Sequence, residues 1–200
     1  MQPSIGAAQQ GPSANPYVDY LCLSGLLALQ RPLSPAAQGA QWRDEHLFIV
    51  VHQTAELLLS HALIELAWVR DEADRADGRQ YGVVVALERV RDVLGQLESL
   101  LGLFDSLTPE GFQAFRPLLG EASAGQSLQF AALLQQIDAP NCGLAAHALT
   151  TEVTGLLEQL RTSTTRWRLR HLQLVERMIG DAPGTGGTTG LAYLRSRINT

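Results

Sequence analysis

The hydrophobic positions of this chain recur at the spacing of a helix rather than that of a strand. Between Val83 and Phe104 they alternate steps of four and three without a break, which is typical of a helix that packs in a bundle. Similar periodic stretches cover 44–74 and 144–179. The pattern predicts an all-α fold, a single helical-bundle domain. The predicted seams are Phe48, His52, Ala55, Leu59, Ala62, Leu66 and Val69; Val83, Leu87, Val90, Leu94, Leu97, Leu101 and Phe104; and Val153, Leu157, Leu160, Thr164, Trp167, His171, Leu174 and Met178.

Capping and turn residues predict where the shorter elements begin and end. The segment from Tyr17 to Gln30 is compatible with a helix, and residues 1–16 are predicted to be a disordered tail before a single domain over 17–200. The remaining signals are Thr108 and Pro109 at a helix start, Pro117 as a helix stop, Ser127 as an N-cap, the turn cluster Pro140-Asn141-Cys142-Gly143, Gly180 as a C-cap, and a last helical piece over 191–198.

Composition excludes several classes of function. All 15 basic residues are arginine, which excludes a Schiff-base lysine, a lysine for pyridoxal phosphate and a Walker-A lysine. A formal charge of −5 argues against a nucleic-acid partner. Two cysteines without a CxxC pair argue against structural zinc and covalently attached haem, and favour a reducing compartment. The chain has no apolar run of 18 residues and no signal peptide, so we expect a cytoplasmic protein without membrane contact.

Two of the five histidines, His52 and His171, occupy seam positions on separate long helices. Each could be a neutral buried histidine with a satisfied hydrogen bond. Inward histidines in an apolar helical pocket are also what a haem requires, namely an axial nitrogen ligand and an apolar wall. A zinc or di-iron site is the rival interpretation. The paired Glu-x-x-His sequences of di-iron bundles are absent, however, and no HExxH accompanies His52 and Glu56.

Certain arginines are candidates for binding carboxylates. Arg116 lies one turn after Phe112, so its guanidinium could enter an apolar site and pair with a substrate carboxylate. Arg166 and Arg170 lie one turn apart and are either solvated or paired with acidic residues, with a nucleic-acid patch as a weaker alternative. An arginine beside a histidine-ligated haem could instead hold a propionate. The glycine-rich stretch 183–190 follows no strand and contains no lysine, so it is interpreted as a mobile lid.

Four blocks of residues together resemble the tryptophan 2,3-dioxygenase family, within the haem-dependent aromatic oxygenase superfamily. They occur in the family's order and cover about half of the chain, which is identified as a short member. The blocks are 44–57; Trp167-Arg168-Leu169-Arg170-His171 with 175–180 and 184–188; Phe115-Arg116 with Ser123, Gln126-Ser127 and Gln129-Phe130; and Tyr17, Tyr20-Leu21 with 30–34.

The resemblance implies an enzyme that uses haem b with ferrous iron to insert O₂ into the indole ring of L-tryptophan. The product would be N-formylkynurenine, in the kynurenine pathway of tryptophan catabolism. His171 would be the axial ligand of the haem iron, and His52 would be the catalytic residue hydrogen-bonded to the indole N–H. The other implied contacts are Phe48 with the indole and haem, Arg116 with the substrate carboxylate, Thr185 with its ammonium or carboxylate, Ser123 with the distal haem edge, and Tyr17, Tyr20 and Leu21 from a neighbouring subunit of a dimer or tetramer.

The chain also departs from the family pattern. Phe112 stands where the family often has a tyrosine, and Ala124-Gly125 alters the family's Ser-Gly-aromatic-Gln-Ser sequence. Only 36 residues separate Phe130 from Trp167, where the family has a longer insert. These departures keep open a haem mono-oxygenase of the same superfamily that acts on a substituted tryptophan or indole in secondary metabolism. A non-catalytic haem-binding helical protein and a bundle without cofactor are further alternatives.

Overall fold

The computed structural model describes residues 15–73, 80–144, 146–184 and 189–196. These residues form helices, turns and loops and contain no strand, which confirms the all-α prediction. The chain divides into two compact units, 1–31 and 32–200, and most of the predicted tail, 1–14, lies outside the described residues. The helices are α1 (Pro16–Tyr20), α2 (Leu23–Leu26), α3 (Ala40–Ala73), α4 (Gln80–Leu101), α5 (Pro109–Phe115), α6 (Leu128–Asp138), α7 (Thr151–Ile179) and α8 (Leu191–Ser196).

In the described part of the first unit, 15–31, two short helices form where the sequence indicated a helix-compatible segment. Asn15 caps α1 by accepting a hydrogen bond from the Tyr17 backbone N–H at 3.0 Å. The helix ends at Tyr20, and Cys22 then adopts a left-handed backbone with a φ of 52°. A right-handed helix cannot continue through that conformation, so the helix-compatible segment is divided at Cys22. None of the described residues of this unit is buried.

Helix α4 is the centre of the second unit. It packs along both α3 and α7, whereas α3 and α7 make no extensive contact with each other in the part of the chain that the structure describes. Every predicted seam residue of α4 and its extension is buried, from Val83 to Phe104. Burying each of these side chains contributes about 1.5–3 kcal/mol, so the seam is a major source of stability. Their buried partners are Leu59, Ala62, Leu66 and Val69 on α3, and Val153, Leu157, Leu160 and Thr164 on α7.

The predicted caps define the ends of the shorter helices. Thr108 and Ser127 begin α5 and α6, because each side-chain oxygen accepts the backbone N–H three residues later at 3.0 Å. Gly180, with a φ of 55°, ends α7 as predicted. Helix α7 begins at Thr151 rather than near Leu144, because Thr150 caps it and residues 146–148 form a separate 3₁₀ turn.

A tight turn, Pro140–Gly143, follows α6. Asn141 and Cys142 both have a φ of 52°, in the left-handed region that costs a residue with a side chain about 1–2 kcal/mol. Cys142 is buried, and its thiol donates to the Ile137 carbonyl at 3.6 Å. Burial raises the pKa of this thiol, so it stays protonated and inert at neutral pH. The turn therefore pairs backbone strain with a packed, unreactive side chain.

Helix α3 is unusually apolar for its length. Between Ala40 and Glu72 it is long and apolar enough to cross a membrane by length and composition alone, with an 18-residue window of mean hydropathy 1.5 that is 17% buried. The sequence-based expectation that no such span exists is therefore wrong by this criterion. One such helix is weak evidence for a membrane span, because core helices of folded proteins pass the same test. The seam of α3 packs against α4.

One buried carboxylate holds the turn that precedes α3. Glu45 accepts the backbone N–H groups of Leu33 at 2.7 Å and of Ser34 at 2.8 Å. Burial by itself raises the pKa of Glu45, but the hydrogen bonds from Ser34 and Leu33 outweigh it and hold that pKa below its usual range. The ionised carboxylate thus fixes the chain at the start of the longest helix.

We expect Glu45→Gln to lower the free energy of unfolding at pH 7 by about 1–3 kcal/mol, because an amide is a weaker acceptor for two N–H groups. Since the folded-state pKa is depressed, the advantage of the wild type is present above pH 4.5 and is lost as the pH falls through the folded-state pKa. Urea denaturation at pH 7 and near pH 3 measures both effects. The exposed Glu121→Gln is the control, and a wild-type advantage of equal size at both pH values would contradict the assignment.

Candidate active site

Phe48 and His52 lie one turn apart on the partly buried portion of the α3 seam. The Nδ1 of His52 is 2.7 Å from the Phe48 carbonyl oxygen. A carbonyl oxygen can only accept, so Nδ1 carries a proton and donates it to this bond. Burial lowers the pKa of His52 despite the opposing effects of that bond and of Glu56, so the imidazole is neutral at pH 7. The lone pair on Nε2 is therefore an acceptor for an incoming N–H group.

Three phenylalanines surround Phe48. The ring centroids of Phe104 and Phe112 are each 5.9 Å from that of Phe48, and the Phe115 centroid is 5.5 Å away. Phe104 is also 5.9 Å from the His52 ring. These are the separations of favourable aromatic pairs, so the rings form a fixed apolar wall next to His52. Phe104 was not among the predicted site residues, although its place at the end of the α4 seam is a signal in the sequence.

His171 lies on α7 in an equally well-defined setting. Its ring stacks on that of Trp167, with centroids 4.9 Å apart and planes inclined by 11°. Trp167 packs against Phe130 at a centroid distance of 4.4 Å and donates its Nε1–H to the Leu97 carbonyl at 3.3 Å. Burial, and secondarily the nearby His52, lower the pKa of His171 to about 4. An imidazole that is neutral at pH 7 is the form that ligates iron.

The burial of the seam residues on α3 and α7 decreases near these histidines. Toward one end of the bundle the seam residues are fully covered, with Leu59 3% exposed and Leu160 0% exposed. Toward the other end most seam residues are only partly buried although they are largely apolar, with Met178 as the buried exception. The partly buried ones are Phe48, His52 and Ala55 on α3, and Trp167, His171 and Leu174 on α7. Both helices rest on α4 rather than on each other. An apolar cofactor that takes one histidine nitrogen as a ligand would suit this arrangement, so the residues present fit a haem.

His46 and His61 give no support to a metal site built from side chains. Within 15–73, 80–144, 146–184 and 189–196, no group of three or more His, Cys, Asp and Glu residues is placed to hold a metal ion. His46 stacks on Trp42 at a centroid distance of 5.1 Å. The exposed His61 lies 3.4 Å from the Glu65 carboxylate. The zinc and di-iron alternatives therefore find no ligand cluster in the described part of the chain.

Arg116 begins the 3₁₀ turn Arg116–Leu119 directly after α5. The α-helix ends at Phe115 as predicted, because Pro117 has no N–H to continue it. The guanidinium of Arg116 donates to the carbonyl of Pro183, the first residue of the glycine-rich stretch. Arg116 thus follows the aromatic wall in sequence and contacts the start of the predicted lid.

Helix α5 is tied to the helices on both sides of it. Gln41 donates to the Ala114 carbonyl from the start of α3, and Gln113 donates to the Met178 carbonyl near the end of α7, each at 3.1 Å. Gly111 permits the close approach to α3, because a Cβ there would lie 2.6 Å from an Asp44 carboxylate oxygen. These contacts hold the aromatic wall and Arg116 in place.

The remaining predicted site residues lie on three separate segments of the sequence. Thr185 lies outside the described residues. Ser123 caps the 3₁₀ turn Ala124–Gln126, and its Oγ accepts from the Gly125 N–H at 3.3 Å. Tyr17, Tyr20 and Leu21 are exposed side chains of the first unit. Their roles, like those of Phe48, His52, Arg116 and His171, stay predictions.

The fold and the site define a class: an all-α protein with two neutral histidines on the partly open seams of its long helices. Comparison with known proteins supplies the family. The family model described as tryptophan 2,3-dioxygenase matches residues 3–141 and 145–200. The chain therefore belongs to the tryptophan 2,3-dioxygenase family, and it is an oxidoreductase, as predicted.

Curated relatives cover nearly the same part of the chain. The tryptophan 2,3-dioxygenase of Anaeromyxobacter dehalogenans is 30% identical over 248 residues, covering 92% of this chain and 91% of that protein. The enzyme of the same name from a Polaromonas species is 31% identical over 252 residues, covering 92% and 83%. That of Pseudomonas aeruginosa is 28% identical over 252 residues, covering 92% and 85%.

The comparisons also locate a difference from the family. The family match is interrupted at 142–144, at the strained turn between α6 and α7. The alignment with the Anaeromyxobacter protein has 248 positions, more than the 200 residues of this chain, so that relative carries residues that have no counterpart here. The short separation of Phe130 from Trp167 and the turn at Asn141 and Cys142 thus fall in the same connection.

We expect Trp167→Leu to lower the free energy of unfolding by about 2–4 kcal/mol, because it removes both the ring stacked on His171 and the N–H donated to the Leu97 carbonyl. Trp167→Phe keeps a ring and should cost about half as much. Urea denaturation of the apoprotein followed by circular dichroism measures both. Trp42→Leu, which removes a tryptophan stacked on His46, is the matched control. A Trp167→Leu protein as stable as the wild type would contradict the proposed packing.

Proposed function

We propose that the protein is a haem-dependent dioxygenase that opens the indole ring of L-tryptophan to give N-formylkynurenine. The observation that carries the proposal is the pair His52 and His171, both neutral at pH 7, on the partly open seams of α3 and α7. The names of the curated relatives support the choice of substrate. Haem b with ferrous iron would be the cofactor, and when bound it supplies the activation of O₂ that amino-acid side chains cannot provide.

His171 is the residue that would hold the iron. Its low pKa means that no proton competes with a metal for the ring nitrogen at neutral pH. The Trp167 ring lies nearly parallel to the imidazole and is itself anchored to Leu97 on α4. A ligand whose ring plane is fixed in this way needs little reorganisation on binding, which favours affinity.

His52 would orient the substrate. Its Nδ1–H stays bonded to the Phe48 carbonyl, so Nε2 accepts the indole N–H without the imidazole changing its charge. The wall formed by Phe48, Phe104, Phe112 and Phe115 would pack the indole ring and exclude water. Positioning of this kind accelerates a reaction by holding the reacting atoms in place.

Arg116 would bind the substrate carboxylate. A carboxylate is a stronger acceptor for a guanidinium than the Pro183 carbonyl that Arg116 now contacts, and it can bind two N–H groups at once. The substrate carboxylate would therefore replace the Pro183 carbonyl as the acceptor of Arg116. That carbonyl lies two residues before Thr185 in the sequence. We propose Thr185 as a second contact of the substrate's ammonium or carboxylate, and Ser123 as a residue at the distal haem edge.

A homo-oligomer, dimer or tetramer, would complete the pocket. Tyr17, Tyr20 and Leu21 are 65%, 86% and 40% exposed, and none of the described residues of their unit is buried. Apolar side chains exposed together in this way are typical of a segment that docks on another surface. We propose that they close the pocket of a neighbouring subunit.

A mono-oxygenase of the same superfamily that acts on a substituted tryptophan or indole is the second candidate. The altered Ala124-Gly125 sequence and the short separation of Phe130 from Trp167 favour it, because both depart from the pattern of the tryptophan enzymes. Phe112 also removes a hydroxyl that the family often has near Arg116. The two candidates differ in the number of oxygen atoms that reach the product.

We expect the wild type reconstituted with haem, in the presence of a reductant and ¹⁸O₂, to convert L-tryptophan to a product that carries two labelled oxygen atoms. His171→Ala should lose the axial-histidine absorption spectrum, because the iron loses its ligand. His52→Ala should keep that spectrum but turn over at least about tenfold more slowly, because the indole N–H is no longer positioned. Optical spectra and product mass report the two effects separately.

The exposed His61→Ala is the matched histidine control and should change neither readout. An unchanged axial-histidine spectrum in His171→Ala would overturn the ligand assignment. A single labelled oxygen would favour the mono-oxygenase. A haem protein that leaves tryptophan and substituted indoles unchanged would favour a non-catalytic role.

We expect Arg116→Gln to weaken tryptophan binding by about ten- to a hundredfold, the value of a hydrogen bond between charged groups. Tryptamine lacks the carboxylate, so its binding should be weak in the wild type and nearly unchanged in the variant. Optical titration of the reconstituted protein measures all four affinities. Arg195→Gln, an exposed arginine that pairs with Glu176, is the control. An equal loss for both ligands would show that Arg116 does not bind the carboxylate.

A further inference from the structure

A small cavity of about 180 Å³ lies beside the segment of α7 that carries His171. One wall is apolar and is formed by Leu101 and Leu174, while the rim is polar. The rim residues are Asp105, Arg170, Gln173 and Arg177. The cavity thus has an apolar wall and a rim with hydrogen-bond donors. The donors on α7 lie within two helical turns of His171.

The charges at this cavity are unequal. Arg170 lies 3.1 Å from one carboxylate oxygen of Asp105, and Arg177 lies 3.7 Å from the other. One carboxylate is therefore shared between two guanidinium groups. Arg166 and Arg168, on the same helix, each pair with an acidic residue of their own, Glu98 and Asp138 respectively. The cavity rim consequently carries a net positive charge, whereas each of the two neighbouring pairs is neutral.

The two arginines also retain unused donors. Arg177 donates from one terminal nitrogen to the Phe104 carbonyl at 2.7 Å, and Arg170 uses one terminal nitrogen for both Asp105 contacts. A guanidinium has five N–H groups in a fixed fork that matches a carboxylate. Each arginine can therefore donate to a second carboxylate without giving up its present bond.

We propose that Arg170 and Arg177 bind the carboxylates of the cofactor that His171 holds, and that Asp105 competes with those carboxylates. The inference rests on the proposed function, since it assigns the polar end of the same haem site. A haem combines an apolar ring with two carboxylates, which matches an apolar wall with a cationic rim. Because Arg170 directly precedes His171 and Arg177 follows it by six residues, α7 would supply the axial ligand and the carboxylate contacts.

The rival explanation is that the arginines only tie α7 to the segment that follows α4, through Asp105 and the Phe104 carbonyl. The two explanations predict opposite effects of Asp105→Asn. If the contacts are purely structural, removing the Asp105 charge should loosen the site as much as removing Arg170. If Asp105 competes for the arginines, its neutral replacement should hold the cofactor equally well or more tightly.

The experiment measures the rate at which haem leaves the reconstituted protein for an excess of apomyoglobin, and then repeats the measurement with haem dimethyl ester, which lacks the free carboxylates. We expect Arg170→Gln to speed the loss of haem by about three- to tenfold, as for a partly exposed charged hydrogen bond, and to leave the loss of the ester unchanged. Arg177→Gln should act in the same direction. Arg166→Gln is the matched control, and Asp105→Asn should not speed the loss of haem.

Equal acceleration of haem and ester by Arg170→Gln would overturn the inference, and so would no acceleration of either. Acceleration by Asp105→Asn equal to that by Arg170→Gln would favour the purely structural explanation. A wild type that binds neither haem nor its ester would instead refute the proposed function, and the inference with it. The failure of the two proposals is therefore distinguishable.

Discussion

The packing of α3 and α7 along α4, rather than against each other, is the constraint on which the candidate site depends. The α4 seam is buried throughout, so it fixes the rotation of both flanking helices. The same rotation leaves Phe48 and His52 on α3, and Trp167 and His171 on α7, partly buried. Because α3 and α7 do not close against each other in the described chain, their partly buried seam residues are available to a ligand.

The histidine pair is chemically useful because the surrounding apolar side chains oppose its protonation. Removing an imidazolium from water is unfavourable, so burial lowers the pKa of both residues and leaves each with an unprotonated ring nitrogen. Local contacts then give the two rings different roles. Trp167 holds His171 by stacking, whereas the Phe48 carbonyl fixes the tautomer of His52. Two chemically identical side chains thereby become a candidate metal ligand and a candidate hydrogen-bond acceptor.

Around this apolar centre the positive charge is carried by arginine alone. Arg116 contacts the Pro183 carbonyl, whereas Arg170 and Arg177 share Asp105. The planar guanidinium can hold one acceptor and still present a fork to a carboxylate, which the point charge of a lysine ammonium does less well. The shortened α6–α7 connection lies in another part of the unit and carries its own strain at Asn141 and Cys142. That strain is tolerated because the turn is packed, with Cys142 buried.

The sequence by itself determined the helical class, the α4 seam, the caps of α5 and α6, the end of α7 and the family, because periodicity, capping and motif residues act locally. It also singled out His52, His171 and Arg116. Only the tertiary structure decided that Phe104 and Phe112 flank Phe48, that Trp167 donates to the Leu97 carbonyl, and that Arg170 and Arg177 share one carboxylate. Those contacts join residues far apart in the chain, whose distances no local pattern encodes. The break between α1 and α2 and the late start of α7 also escaped the sequence pattern, because the backbone at Cys22 and the cap at Thr150 override apolar periodicity.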